Sequence, residues 1–485
     1  MYISKIKLSN FKSFRGKHTI DLSKGVNFFV GNNNCGKTTI FKAIEFIQSG
    51  KNKFDFITKG FETENVSVEV EFKGDDILSL LENKGLKKYE NYVIDNGDGT
   101  HSIRILRSSE EKEIIQGTKK ISLDISKIRV YNPCSSESEE LNKFENPTGI
   151  DKTISALFDA QFIYSDLKNE EYHDFGFTKI LGKIITDSTK GFQKGEIWKD
   201  FARAHNKTFG NEGLGNILAE VEVEISNVLK EQYGDGEVKF NFGLPEIDSF
   251  YKTGNLLMAD NGNYTTISEK GTGMQRALAL SLIQVYSGIA KNEIGSKPIM
   301  FFIDEPETFL HPKAQDKLID SLNRLADKSQ VFITTHSPYL LRKFNSDTQQ
   351  INIFYKNDKG DNKISDKKQL NLFGTSSPTL GEINYVAFEI ESVEFHNELY
   401  GFLQARAMEE DSGNYHEKNF DQWLVSRGLS KNKRYIRVNS NGTIQNQNKT
   451  LPTFIRNIIH HPENTNNEFN SKDLSDSIKE LLSIM

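Results

Sequence analysis

The sequence predicts an α/β protein: a mixed sheet with an antiparallel lobe, a helical insertion and an α-helical carboxyl-terminal region. Three observations carry that expectation. A short apolar run, Val26 to Val30, feeds straight into a glycine loop, and apolar residues behind the loop recur at helical spacing. Two further apolar runs of strand length, Ile299 to Ile303 and Val331 to Thr335, each end in polar residues, the pattern of buried parallel strands with function at their carboxyl ends. Between these runs the chain turns charged and helical, from about Ser135 to Gly236.

Taken in order, Ile6 and Leu8 alternate with lysines as in a strand, and Asn10 to Gly16 reads as a loop. Behind the glycine loop, Ile40, Phe41, Ala43, Ile44, Phe46 and Ile47 mark a helix that Gly50 should end. Val66 to Phe72 and Ile103 to Leu106, the latter preceded by an Asn-Gly-Asp-Gly turn, suggest an antiparallel lobe, with Ile128 to Tyr131 as a further strand. The expected boundaries are 1–135 for the first part of the α/β core, 136–236 for the insertion, 237–365 for the second part and 366–485 for a helical region that binds an effector or partner. Within the insertion Leu218, Val221, Val223, Ile225 and Leu229 form a candidate stripe, too interrupted by Gly and Asp for a long coiled-coil arm. Strand-like alternation returns at Val238 to Phe242, and the tail ends in a helix with Leu474, Ile478, Leu481 and Leu482 on one face.

At 485 residues with 36% hydrophobic content the chain can build two or three domains around real cores. Met1 to Phe14 lacks the continuous apolar stretch of a secretory signal, and no run nears the roughly 18 apolar residues of a membrane span. The expectation is a soluble, cytoplasmic protein with no membrane partner. Cys35 and Cys134 are too few for a disulfide framework or a four-cysteine zinc site. A net charge of −6 argues against a surface that wraps nucleic acid as a whole, while leaving room for a local basic patch.

Gly31-Asn32-Asn33-Asn34-Cys35-Gly36-Lys37-Thr38-Thr39 has the P-loop spacing, between the strand and helix that such a loop requires. Glycines let backbone N–H groups wrap phosphate oxygens, Lys37 would neutralise the β and γ phosphates of ATP, and the Thr38 hydroxyl would ligate Mg²⁺. Far downstream, Ile299 to Ile303 ends in Asp304 and Glu305. Asp304 is placed to hold the magnesium shell and Glu305 to polarise the attacking water, against the plainer reading of an acidic loop after a core strand.

Ser268-Glu-Lys-Gly271-Thr-Gly273-Met-Gln275-Arg276 precedes a helix rich in Ala and Leu. Its glycines and the helix amino terminus make a second anion site, which the P-loop does not need for its own nucleotide, so it would serve another one; a helix-capping loop is the competing reading. Finally, Val331 to Thr335 leads into His336-Ser-Pro, with His336 placed to sense the γ-phosphate. A lone His at a strand end is more often structural, and the order of the four motifs is what favours function.

That order, with the opening Phe11-Lys-Ser-Phe14-Arg15, resembles the ABC-type ATPase heads of the RecF and SMC proteins. Asp304-Glu-Pro-Glu-Thr-Phe-Leu-His-Pro and Thr335-His-Ser-Pro look most like the overcoming-lysogenisation-defect branch. The resemblance implies that Arg15 and the P-loop bind nucleotide and that two heads sandwich ATP, with Gly271, Gly273 and Gln275 of one subunit closing the partner's site. A head-to-head dimer or higher homo-oligomer is expected. The family's glutamine loop should follow Tyr131, yet Asn132-Pro-Cys supplies no glutamine. Nuclease members continue into a Toprim domain with a strand-borne Glu-Gly; Ala387-Phe-Glu-Ile-Glu391-Ser offers none, so a separate effector nuclease is expected. Short heads of this kind resemble the ATPase subunits of bacterial anti-phage systems such as Septu and PARIS, implying a sensor or scaffold triggered by DNA or a phage-derived signal. A RecF-like repair ATPase is the second reading.

The third reading rests on Thr453-Phe-Ile-Arg456-Asn457-Ile-Ile-His460-His461-Pro462, which matches the Arg-Asn, three residues, His pattern of HEPN-type ribonucleases. On a helix Arg456 and His460 share a face and His461 lies well round from it. A helix end that binds a partner is the plainer reading.

Overall fold

The computed structural model describes all residues except 117–118, 166–179, 190, 235, 261, 291–296, 309, 366–369 and 439–442. Two compact units form, Met1–Ser165 with Lys297–Met485, and Asp166–Ser296. The second unit begins and ends later than the insertion expected at 136–236, and so takes the Gly271 to Gln275 segment with it.

The first unit is built on a six-stranded sheet in the order Asp159–Ile163, Ile299–Asp304, Gln330–Thr335, Val26–Gly31, Gln349–Lys356, Asn362–Ser365, parallel except for the last strand. Its three central strands are buried at every position, which explains why they read as continuous apolar runs. Aromatic rings fill the layer above: Phe302 and Phe332 stack with centroids 4.4 Å apart, and Phe41 meets Phe302 edge-on at 5.4 Å. Phe41 comes from the helix Thr39–Ser49, whose apolar residues are all buried as their spacing required. The helix stops at Gly50, where a Cβ would stand 2.3 Å from the Phe46 ring. Buried Arg107 donates to the carbonyls of Ile47 and Gly50, satisfying groups that the helix end leaves unpaired.

The expected antiparallel lobe is a second sheet in which Tyr2–Phe11 pairs with Phe14–Asp21 and Ser67–Gly74, continuing through His101–Ser108 and Arg129–Tyr131 to Phe144–Glu145. The loop expected from Asn10 to Gly16 is tighter than the sequence suggested, because Asn10 and Lys12 take left-handed backbone angles of 48° and 52° and close a hairpin. Gln330 ties the two sheets together, accepting from the N–H of Ile3 and donating to the carbonyls of Ile3 and Ser23.

In the Asp166–Ser296 unit the helix Leu214–Tyr233 carries the expected stripe, but Val221, Val223 and Ile225 are exposed. Val238 to Phe242 is irregular rather than a strand. Among the described residues no partner strand pairs with it; instead the Val238 N–H bonds the Ser226 hydroxyl and the Phe240 N–H bonds the Glu222 carboxylate, which satisfies the backbone without a sheet.

The carboxyl-terminal region is not wholly helical. A hairpin, Lys433–Val438 paired with Ile444–Lys449, is set among the helices Val393–Glu410, Glu417–Ser426, Leu451–His460 and Ser471–Leu482. The last helix buries Leu474, Ile478 and Leu481 as expected. Among the described residues no helix is long and apolar enough to cross a membrane.

Candidate functional site

The P-loop wraps from the end of strand Val26–Gly31 to the start of helix Thr39–Ser49. Glycine is required twice: at Gly31, with φ of 137°, a Cβ would lie 2.0 Å from the Phe354 carbonyl, and at Gly36, with φ of 89°, it would meet the Ser13 hydroxyl at 2.5 Å. Asn34 also takes a left-handed φ of 62°. Lys37 is only 6% exposed, and its ammonium curls across the loop to donate to the carbonyls of Gly31 (2.9 Å) and Asn32 (3.0 Å). Burial lowers its pKa. Around it, Cys35 is buried with its thiol pKa raised by that burial, Thr39 meets Ser13 at 3.3 Å, and Asn33 faces solvent. Arg15 is exposed, its guanidinium 4.5 Å over the Phe61 ring.

Side chains from three strand ends converge on this loop. Thr38 donates to Asp304 Oδ1 at 2.9 Å, Thr334 donates to the same oxygen, and Ser165 donates to Oδ2 at 3.0 Å. This clustering at the carboxyl ends of parallel strands is where an open α/β sheet holds its ligands. A carboxylate ringed by hydroxyls offers oxygen ligands only, the donor set a hard divalent cation such as Mg²⁺ takes.

Glu305 follows with φ of 45°, a left-handed angle rare for a residue with a side chain, held by its N–H bonding the Thr334 carbonyl at 3.0 Å. Strain of this kind persists only where surroundings over-determine it. Its Oε1 lies 3.1 Å from His336 Nε2, both side chains about one-third exposed. Burial and the nearby Lys37 charge lower the His336 pKa, against the pull of Glu305, so the ring is neutral and Nε2–H donates to Glu305. Glu307 is buried beneath the pair. Its Oε1 accepts from the Thr335 hydroxyl (2.7 Å) and the His336 N–H (2.9 Å), and its pKa is raised by burial.

Sequence reasoning thus placed Lys37, Thr38, Asp304, Glu305 and His336 in one cluster, and the structure brings them together. It missed Ser165, Thr334, Glu307 and Glu389, whose carboxylate accepts from the P-loop's Asn32 Nδ2 at 2.9 Å. Asn132, sought for the glutamine-loop position, bonds Glu145 in the antiparallel lobe; Ser165 stands beside Asp304 instead. The position of Ser165 just beyond a parallel strand was the available signal.

Gly271, Gly273 and Gln275 open the helix Thr272–Ala290 in the other unit. Gln275 Nε2 donates to the Lys270 carbonyl at 2.7 Å, and the turn before the helix is closed by a capping box between Thr266 and Glu269. Both features belong to a built loop at a helix amino terminus.

The tail residues stay together at one helix end, where burial and then the charges of Arg456 and His461 lower the His460 pKa. Arg456 lies over the Tyr400 ring at 5.9 Å, His460 ends the helix in solvent, and His461, beyond the last turn with φ of −126°, bonds Glu463 at 3.1 Å. Among the described residues no group of three or more His, Cys, Asp or Glu side chains gathers at metal-binding distance.

A P-loop, a hydroxyl-ringed aspartate and a Glu–His pair at the carboxyl ends of one parallel sheet define a nucleotide-binding head of the ABC type, the class that includes RecF and SMC. More narrowly, residues 1–341 match the AAA ATPase domain family model, and the chain belongs to that family. It is 30% identical to the Old nuclease of Escherichia phage P2 over 357 residues, which is 70% of this chain and 57% of that protein. It is 23% identical to Endonuclease GajA of Bacillus cereus over 425 residues, 73% of this chain and 60% of that one. RecF, the DNA replication and repair protein of Streptococcus uberis, is 24% identical over 70% of this chain and 93% of its own length. The chain therefore spans less than two thirds of the two nucleases it matches.

Proposed function

We propose that the chain binds and hydrolyses ATP at a site shared between two heads, and that its nucleotide state controls a nuclease in a bacterial anti-phage system. The observation that carries the first half is Lys37. It is a buried ammonium whose hydrogen bonds go to backbone carbonyls, so its charge is available to phosphate once nucleotide displaces those carbonyls. Thr38 and Asp304 would hold Mg²⁺, which supplies charge neutralisation at the phosphates. Glu305 orients and polarises the attacking water, and His336, neutral and donating, holds that carboxylate in place and faces the γ-phosphate as it leaves. The exposed segment from Gly271 to Gln275 completes the nucleotide site of a second copy.

The second half rests on the resemblance of the motifs to anti-phage ATPase subunits and on two relatives named as nucleases. The test is mass photometry of Glu305→Gln with and without ATP, after co-expression with the neighbouring genes. ATP-dependent assembly that retains a neighbouring gene product supports the reading, and assembly alone turns it toward DNA repair, which the match to RecF along 93% of that protein favours as the second reading.

A further inference from the structure

The carboxyl-terminal region holds a cavity of about 990 Å³ between the helices Glu417–Ser426 and Leu451–His460 and the hairpin that joins them. Hairpin register sets Tyr435 opposite Gln447 and Lys433 opposite Lys449. With side chains alternating along each strand, Tyr435, Arg437, Gln447 and Lys449 project from one face, and all four line the cavity. Asn457 and His461 close it from the helix.

The charges here are sorted. Lys449 is paired with Glu417, Lys431 lies 3.0 Å from the buried Asp421, and His461 bonds Glu463. Among the described residues Lys418 and Arg437 have no such partner. Among the described residues the three carboxylates are already engaged, which disfavours a metal, and Val438 is the only aliphatic side chain lining the cavity, which disfavours an apolar segment. What remains is two uncommitted cations beside the hairpin carboxamides of Gln447 and Asn448, while Asn457 is buried and Asn464 is spent on Ile436 and Asn466. Uncommitted cations suit phosphates, and carboxamides, which donate and accept at once, suit the edges of unpaired bases. The volume lies at the top of the roughly 300–1,000 Å³ range of ligand cavities, far more than one phosphate needs.

We propose that this cavity binds a short single-stranded nucleic acid, its phosphates on Lys418 and Arg437 and its base edges on the carboxamide wall. The proposal does not depend on the function assigned to the P-loop. Fluorescence anisotropy tests it with a labelled ten-nucleotide RNA and the DNA of the same sequence, AMP and a polyglutamate peptide serving as competitors. The full chain carries Lys37→Ala, so that the P-loop does not contribute. The expected result is salt-dependent binding of a strand, weakened at least tenfold by Lys418→Glu with Arg437→Glu, and a fall in log affinity with log salt of about 1.4, as two phosphate contacts on a single strand give. Both residues are exposed, and an unchanged thermal melt confirms that the variant is folded. RNA bound above DNA points to the 2′-hydroxyl, and equal binding to a strand of either sugar; both support the proposal. Strand binding that survives the double substitution, AMP or polyglutamate competing as well as the unlabelled strand, or no strand binding at all overturns it.

Discussion

At the carboxyl ends of the parallel strands, buried Lys37 donates to two carbonyls and Glu305 accepts from a neutral histidine; in the carboxyl-terminal core, buried Asp421 lies 3.0 Å from Lys431 and buried Lys449 is paired with Glu417. Both regions take charge out of water, which is costly unless something compensates it. The carboxyl-terminal pairs are complete in themselves and fix the packing of helix and hairpin. At the P-loop, neutral dipoles hold the charged groups in position without neutralising them. For Lys37 a bound phosphate would supply the missing opposite charge, so the same burial that is structural in one region suits a binding site in the other.

The largest effect is expected at Lys37. Lys37→Ala removes the one buried cation of the P-loop, and ATP binding measured by calorimetry should be abolished. Unchanged nucleotide affinity and turnover would remove the loop from its proposed role. Glu305→Gln keeps the shape of the site and loses the charge proposed to polarise water. Turnover should fall about 10²- to 10⁴-fold with ATP binding preserved. A variant that hydrolyses ATP normally would make the strained backbone at Glu305 a structural feature and nothing more.

Much of this site was legible in the sequence because its spacing is dictated by chemistry. A glycine loop must be followed at once by Lys37 and Thr38, and a buried strand must end at Asp304. What escaped has equally physical reasons. Ser165 follows a five-residue strand with no periodicity of its own, and Asn32 and Glu389 are 357 residues apart. The hairpin in the tail was missed because its second strand, Ile444–Lys449, is mostly polar and shows no alternation. Val238 to Phe242 failed the other way: it alternates, yet helix side chains satisfy its backbone where a strand would need a neighbour. The pattern Arg456 to His461 keeps Arg456 and His460 on one helix, with His461 just past its end.

The carboxyl-terminal core should respond to acid where the P-loop's neighbours need not. His396 is fully buried, 3.0 Å from the Ser477 hydroxyl, and burial pushes its pKa down from 6.5 to about 4. The folded protein therefore keeps it neutral in a range where the unfolded chain takes up a proton. Stability is fully present above pH 6.5 and is lost as pH falls toward 4, by an amount on the order of 3 kcal/mol. Urea melts followed by Trp423, in a Trp198→Phe background, should show that slope, and His396→Gln should flatten it. An equal slope in the variant would assign the acid sensitivity to other groups.

The smallest effect is expected at Glu307, which belongs to both kinds of burial. It sits in the nucleotide site, yet like Asp421 it is spent on structure: Oε1 holds the Thr335 hydroxyl and the His336 N–H, and among the described residues Oε2 has no hydrogen-bond partner. If its work is to position His336, an acceptor matters and a charge does not. Glu307→Gln keeps the acceptor oxygen, and its kcat should stay within about twofold of the parent, while Glu307→Ala strands a buried N–H, worth about 1–3 kcal/mol, and should lower kcat roughly tenfold with KM little changed. Steady-state turnover of the two variants separates the possibilities. A Gln variant as impaired as the Ala variant would mean that the carboxyl group itself takes part, through Oε2.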